Sequence, residues 1–225
     1  VTDLNRERIA VRDQLRWMLP DSVSIAVWGI DTMDAALRAE EREAIRRAVP
    51  KRVREFARGR ATARCALAQL GVGPRPIPIG DHRQPIWPKG VVGAITHAGD
   101  LVAAAVARSS DCSCLGIDVE HGVELPSGIT EMILTRAEQA DPVPVHGLVR
   151  FSAKESIHKA IFPSTGVWLE PLDVCVTLTA SKFQAGPVHE RIDAAAADEV
   201  LACLEGSWAS ELGSVVSVAW VDDQV

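Results

Sequence analysis

PKRVREFARGRATARCALAQLG, residues 50–71, and LVAAAVARSSDCSCLGIDVE, residues 101–120, decide the fold class between them. The first stretch reads as one long helix. Pro50 stands at the first helical position, where its missing N–H costs nothing, and Gly71 stands where a helix stops. The second stretch reads as two short strands, 101–108 and 114–119, which a turn at 109–112 is expected to join into a hairpin. Upstream, residues 24–30 form a predicted strand, and Asp31 and Thr32 open a predicted helix that runs to about residue 49. Between the long helix and residue 91 lie two breaker-rich stretches, 73–78 and 85–90, anchored by Trp87. Residues 91–96 are a short apolar run that ends in His97 and Gly99.

Downstream, glycine, proline and isolated acids dominate residues 121–146, with a short helix expected at 130–140 and Glu131 in its first turn. A clear helix follows at 148–162, ended by Pro163. Strands are predicted at 174–179, 183–184 and 215–221, with a helix at 194–204. Each half thus combines a long helix with short strands and lacks alternating βαβ units, so the class is α+β rather than a doubly wound sheet. The absence of a GxGxxG or Walker loop disfavours a dinucleotide-binding or P-loop enzyme.

With 225 residues, 47% of them hydrophobic, the chain can bury a substantial core, which rules out disorder and collagen-like architecture. The longest apolar stretch, 101–107, is strand-sized, far short of the roughly 18–20 residues that span a bilayer, so no membrane association is expected. No signal peptide is visible at the start, and five cysteines resemble neither a disulfide framework nor a zinc site. A cytoplasmic location is the expectation. The net charge of −6 hides a division: residues 1–112 hold 18 Lys and Arg against 13 acids, while residues 113–225 hold 6 against 17, giving +5 and −11. That split suits an anionic ligand held mostly by the first half, with carboxylates supplied by the second; a solvated arginine-rich helix face would give the same numbers. Nucleic acid is disfavoured as a partner, because the chain is acidic overall and has no tyrosine and no basic run interleaved with aromatics.

Three clusters can do chemistry. GIDVE at 116–120 puts Asp118 and Glu120 two apart on a strand, hence on one face. Two crowded carboxylates repel and resist burial, so a divalent cation with oxygen ligands, Mg²⁺ or Mn²⁺, is a natural partner; a strand end where both acids emerge into water has the same spacing. FSAKESIHKA at 151–160 sets Glu155 four residues before Lys159 and Lys154 four before His158, among apolar neighbours that argue for partial burial rather than an exposed salt bridge. QPIWPKGVVGAITHAG at 84–99 carries Thr96 and a lone His97, a residue type that is more often structural than catalytic. On the long helix Arg52, Phe56, Arg60 and Arg64 recur every four residues along one side.

In this order and within about 110 residues, the RxxEFxxGR helix, the PxWPxG…TH segment, the GIDVE strand and the FSAKES…K helix resemble the 4′-phosphopantetheinyl transferases of the surfactin-synthetase and enterobactin-synthetase (Sfp/EntD) type. The resemblance runs from about Arg52 to Pro163. It implies a monomer of two similar α+β halves, a pseudo-dimer in which a small, mainly antiparallel sheet packs on a long helix in each half. Residues 1–112 would then bind the phosphates of coenzyme A, residues 113–225 would bring the metal carboxylates and the catalytic helix, and the active site would lie in the cleft between them.

The implied reaction is the Mg²⁺-dependent (or Mn²⁺-dependent) transfer of 4′-phosphopantetheine from coenzyme A to a serine of an apo acyl or peptidyl carrier protein, releasing 3′,5′-ADP. By the same resemblance Asp118, Glu120 and Glu155 are the metal ligands. Glu155 is also the candidate base for the carrier serine, directly or through a metal-bound water. Arg52, Arg60, Thr96 and His97 bind coenzyme A at its nucleotide and 3′-phosphate. Lys154 and Lys159 face the diphosphate and the developing charge, with Lys159 catalytic. Relatives carry a serine where Ala94 stands, an aromatic where His158 stands, and in some cases a cation just before Gly80, where this chain has Ile79; His82 or Arg83 is expected to supply that cation. A non-catalytic coenzyme A or nucleotide-binding module is the competing reading, disfavoured because all three carboxylates and both lysines are present. Carrier choice is expected to rest on the loop at 121–148.

Overall fold

The computed structural model describes residues 2–29, 35–126, 128–188 and 195–222. Two antiparallel sheets form the frame. The first has three strands, β1 (Ser24–Gly29), β2 (Val91–Ala98) and β3 (Leu101–Arg108), in the order β1-β3-β2. The second has five, β4 (Cys112–His121), β5 (Val174–Leu178), β6 (Lys182–Pro187), β7 (Glu205–Glu211) and β8 (Ser214–Asp222), in the order β4-β8-β7-β6-β5. Each sheet carries a long helix. Helix α3 (Pro50–Gln69) lays Ala63, Ala66 and Leu67 on Ala26, Ala104 and Val106 of the first sheet. Helix α6 (Pro144–Thr165) lays Ile157, Ala160 and Ile161 on Val176, Phe183 and Ala219 of the second. The α+β class and the two-halved plan expected from the sequence are thus observed, with unequal sheets.

The opposite faces of both sheets share one core. Val11, Leu15 and Met18 of α1 (Thr2–Met18) meet Ala103 and Ala105 of the first sheet and Leu115, Ile117 and Val216 of the second. Strand β3 shows why this works. Its LVAAAVA run is buried on both faces, and the small alanines let a helix and a second sheet both approach closely. Shorter helices are α2 (Ala39–Ala44), α4 (Thr130–Ile133), α5 (Arg136–Gln139) and α7 (Ala195–Cys203), with a single 3₁₀ turn at Pro171–Asp173 leading into β5.

The structure corrects several local expectations. Strands β3 and β4 do not form a hairpin. Strand β3 already has β1 and β2 on its two edges, so no ladder edge is left, and after the turn at 109–111 the chain crosses to the second sheet; the actual hairpin is β2 with β3, Thr96 opposite Ala103. The helix expected from Asp31 and Thr32 to residue 49 is only α2, followed by turns, and its expected start lies outside the described residues. Helix α6 begins earlier, with Pro144 in its first turn, and runs through Pro163. The proline cannot donate to the Lys159 carbonyl, but Ser164 and Thr165 hydroxyls bonded to the Ile161 carbonyl and Gly166 N–H bonded to the Phe162 carbonyl close the last turn. The helix expected at 130–140 is split into α4 and α5. Helix α1 and strand β7 are additions that the sequence reading had not placed.

One contact sets how α6 meets β4. A Cβ on Gly116 would sit 1.8 Å from the Ser156 carbonyl oxygen, so α6 lies directly on β4 at this glycine. That close approach brings one turn of α6 over the GIDVE strand.

Candidate active site

Strands β2 and β4 meet at the seam between the halves, and Asp118 is the centre of that meeting. It is buried, and its Oδ1 accepts from Thr96 Oγ1 at 3.0 Å and from Lys159 Nζ at 2.5 Å. Its Oδ2 is buried without a hydrogen-bond partner. Thr96 accepts in turn from Val119 N–H at 3.2 Å, so its hydroxyl is committed to β4. Glu155, one helical turn before Lys159, comes within 3.9 Å of the same ammonium. Glu120, two residues along β4, shares the face of Asp118.

The electrostatics agree with a crowded anionic centre. Burial, then the charges of Asp118 and Glu155, push the Glu120 carboxyl up to about 7, against a pull from Lys159. Burial also pushes Glu155 above the usual carboxylate range, and Asp118 adds to the shift although Lys159 opposes it. For Lys159 burial alone would favour the neutral amine, but Asp118, Glu155 and Glu120 together outweigh it and the net shift is upward, so the ammonium is held charged. Among the described residues no three acidic, imidazole or thiol groups close into a ready metal cage. Besides the Lys159 ammonium, the site offers oxygen ligands: one buried oxygen without a partner and two carboxylates made reluctant to ionise by burial and by neighbouring negative charge. That donor set fits a hard divalent cation.

A cleft opens beside this centre, between the proline-rich loop after α3 and the C-terminal half of α6. It comprises a cavity of about 510 Å³ that includes Trp87, Lys159 and Phe162, and one of about 190 Å³ that includes His82, Arg83, His158 and Lys159. Lys159 lines both. The loop is a tight one: Ile79 and Pro85 pair across it, Gly80 N–H donates to the Gln84 carbonyl, and Arg83 takes a left-handed φ of 67°. A left-handed arginine is strained, and strain of this kind gathers at functional positions. His82 packs on α6, its ring 5.1 Å from that of Phe162 and 5.7 Å from that of Trp168. His158 stacks on Phe162 and meets Trp168 edge-on, and burial lowers its basicity.

The arginine side of α3 lies along the first half. Arg60 is buried over the Phe56 ring, 4.3 Å from its centroid, and donates to the carbonyls of Ile77 at 2.7 Å and Pro78 at 3.4 Å. Burial lowers its pKa to about 10, and the charges of Arg52 and Arg64 add to that while Glu41 opposes it. Arg52 is half-exposed beside Glu55, and His97 is exposed on the face of β2 that α3 covers, opposite to the face of Thr96. Neither of the two cavities is lined by Arg52 or His97.

Lys154 is placed elsewhere. Its side chain is 3% exposed, and its ammonium is shared by Glu138 at 2.7 Å and the Ile133 carbonyl at 2.8 Å, away from the cleft. Burial lowers its basicity, with Glu138 pulling the other way. Glu138 also accepts from the backbones of Thr135 and Val176, both at 2.7 Å. Sequence reading had not singled out Glu138, although Thr135 with Glu138 is a legible capping box. Glu41, fully buried and taking Arg64 and the Ile77 N–H, was likewise missed; nothing distinguishes it within its EERE run.

This arrangement matches known proteins along most of its length. The family described as the 4′-phosphopantetheinyl transferase N-terminal domain matches residues 40–107, and the 4′-phosphopantetheinyl transferase superfamily matches residues 114–204. The 4′-phosphopantetheinyl transferase Svp of Streptomyces mobaraensis is 40% identical over 195 residues, which cover 79% of this chain and 76% of Svp. The chain belongs to the 4′-phosphopantetheinyl transferases. PptT of Mycobacterium tuberculosis, also named a 4′-phosphopantetheinyl transferase, is 39% identical, covering 79% of this chain and 83% of its own. Enterobactin synthase component D of Salmonella typhi is 37% identical over 52% of this chain and 51% of its own length, which places the family membership on the Sfp/EntD side. Among solved structures, a holo-[acyl-carrier-protein] synthase of Thermotoga maritima superposes with a TM-score of 0.38 at 16% identity, over 50% of this chain and 65% of that one, a likeness too loose to carry weight. As a 4′-phosphopantetheinyl transferase the chain is an enzyme that uses coenzyme A as donor and acts on carrier proteins. No helix among its described residues is long and apolar enough to cross a membrane.

Proposed function

We propose that the transfer depends on Mg²⁺ or Mn²⁺, and that coenzyme A lies along the seam with its nucleotide phosphates toward residues 1–112 and its diphosphate toward residues 113–225. The observation that carries this reading is the partnerless buried oxygen of Asp118, flanked by Glu120 and Glu155 and by the ammonium of Lys159. Asp118, Glu120 and Glu155 would hold the cation. When bound, it neutralises the diphosphate and stabilises charge on the leaving 3′,5′-ADP.

The chain's own residues do the rest. Thr96 fixes Asp118 by hydrogen bond. Lys159 stays charged at neutral pH and neutralises oxygens of the diphosphate as the P–O bond to 3′,5′-ADP breaks. Glu155, made more basic by burial, takes the proton of the carrier serine as its Oγ bonds to the pantetheine-bearing phosphorus. Arg52, Arg60 and His97 bind the 3′-phosphate, Arg60 through the guanidinium edge not used on the loop, and His82 or Arg83 supplies the cation beside Gly80. Lys154 acts structurally, by tying the 130–141 segment to α6.

The acceptors are acyl or peptidyl carrier domains, which dock on the loop at 121–148. Val123 and Met132 are about two-thirds exposed there, apolar side chains presented to solvent. Incubation with coenzyme A, Mg²⁺ and a panel of apo carrier proteins, read by intact mass, tests the proposal. Phosphopantetheine addition that EDTA abolishes is expected; undiminished addition in EDTA would remove the metal, and no addition to any carrier would remove the assignment of acceptors.

A further inference from the structure

Along the seam, side chains rather than a ladder join β2 to β4. Thr96 reaches Asp118 and Val119; two residues further along β2, the Ala98 carbonyl lies 2.8 Å from His121 Nε2, at the end of β4. A carbonyl can only accept, so Nε2 carries a proton and the ring's orientation is set. The other nitrogen, Nδ1, is 3.1 Å from Glu7 Oε1 of α1, a contact that is attractive when Nδ1 also carries a proton, and Ser214 of β8 donates to that same oxygen at 2.6 Å. Gly99 in the β2–β3 turn adopts a left-handed φ of 51°, which favours glycine, and lies beside the His121 ring. One imidazole therefore ties together α1, the end of β2, the end of β4 and the start of β8.

The residues so tied are neighbours of site residues. His121 follows Glu120, a proposed metal ligand, and Ala98 follows His97, a proposed phosphate ligand. The backbone of Glu120 is already held within its own sheet by Val215, so the clasp adds nothing there; what it fixes is one half against the other. Elsewhere the interface is largely apolar, and apolar packing is non-directional, leaving the relative slide of two sheets to be set by polar links.

We propose that His121, held by Glu7, is a positioning residue that fixes the spacing between the metal carboxylates of one half and the phosphate-binding end of β2 in the other, and so couples cation binding to coenzyme A binding. The inference rests on the metal reading above. Coenzyme A presents its diphosphate and 3′-phosphate at a limited separation, so a molecule gripped by both halves favours the cation only when their spacing is right.

The test titrates Mn²⁺ into the full chain with and without coenzyme A, with no carrier protein, and follows free Mn²⁺ by electron paramagnetic resonance. Coenzyme A should tighten Mn²⁺ binding to the wild type. His121→Ala and Glu7→Ala should each cut that tightening by about tenfold, and the double variant should be no worse than either single one. Glu7→Gln, which keeps an acceptor, should stay within about threefold of the wild type. A lower melting temperature with the tightening intact would make the clasp merely structural and overturn the inference. Asp118→Ala separates the two failures: if it binds Mn²⁺ as the wild type does, the metal reading falls and the clasp with it. If it loses Mn²⁺ while His121→Ala keeps full tightening, the clasp alone is refuted.

Discussion

Helix α6 carries two lysines five residues apart, and the fold uses them in opposite ways. Lys154 is sealed in, with its charge consumed by Glu138 and a carbonyl. Lys159 is 26% exposed, lines the cleft, and shares its charge between Asp118 and Glu155. Five residues correspond to about 500° of helical rotation, so the two point to different surfaces and meet different neighbours. A cation's role is thus set by its acceptors. Glu138 has three N–H donors around it and needs no further ligand, whereas Asp118 keeps one buried oxygen without a partner. A satisfied carboxylate builds structure; an unsatisfied one waits for a ligand.

The largest effect belongs to that unsatisfied carboxylate. Asp118→Ala should lower transfer by at least about three orders of magnitude while leaving the melting temperature nearly unchanged, because it deletes a ligand and also relieves repulsion with Glu120. Single-turnover transfer at limiting Mg²⁺ checks it, and near-normal turnover would remove Asp118 from the metal site. Lys159→Met comes next, with an expected loss in kcat of about two to three orders of magnitude; in Mg²⁺, where the cation would offset the charge left on buried Asp118, its melting temperature should stay closer to the wild type's than that of Lys154→Met. Lys154→Met should reverse the pattern. Left unpaired, buried Glu138 would destabilise the fold by about 3 kcal/mol, or roughly 10 °C in melting temperature, while the molecules that remain folded transfer within about tenfold of the wild type. If the two lysine variants had the same profile, the distinction between them would collapse.

That distinction was invisible in the sequence, where KES-IHK presents both lysines beside a glutamate at helical spacing. Lys154 finds its partner in a four-residue helix elsewhere in the chain, and such pairings are set by tertiary packing that no local period encodes. The long helices were legible because proline and glycine mark their limits, and GIDVE was legible because two acids on an apolar strand conflict with burial. Sheet membership was not. The strands at 101–108 and 114–119 look like a hairpin from spacing alone, and only the prior occupation of both β3 edges sends β4 to the other sheet. Helix α1 does carry a readable signal in Leu4, Val11, Leu15 and Met18, all on one face, and its Glu7 lies on the side turned toward β8.

Arg52 and Arg60 of α3 repeat the contrast at smaller scale. Arg52 is half-exposed, so Arg52→Ala should raise the KM for coenzyme A by about tenfold, with kcat and stability little changed. Arg60 also holds the Ile77 and Pro78 carbonyls, so Arg60→Ala should raise KM and lower the melting temperature together. Dephospho-coenzyme A sharpens this: the wild type should prefer coenzyme A, and the preference should shrink in both variants. A preference undiminished in either would show that arginine does not read the 3′-phosphate.

The smallest expected effect is a dependence on pH. Burial and the neighbouring carboxylates push Glu120 from an ordinary 4.5 up to about 7. Between those values the folded chain holds this proton more tightly than the unfolded chain does. The resulting stabilisation is full below about 4.5 and is lost as pH rises through about 7. A divalent cation acts with the opposite sign, because it needs the ionised carboxylate and must displace that proton to bind. The gap in melting temperature between Mg²⁺ and EDTA should therefore be narrow near about pH 5 and widen by a few degrees toward about pH 7.5, and Glu120→Gln should flatten the EDTA curve across that window. Lys154 and Glu138 provide the internal control. Their charges are matched to each other and bind no cation, so Lys154→Met should lower both curves without changing how the gap between them grows. A gap that is constant with pH in the wild type would mean that Glu120 does not exchange its proton for a metal ion, leaving Asp118 and Glu155 as the carboxylates of the site.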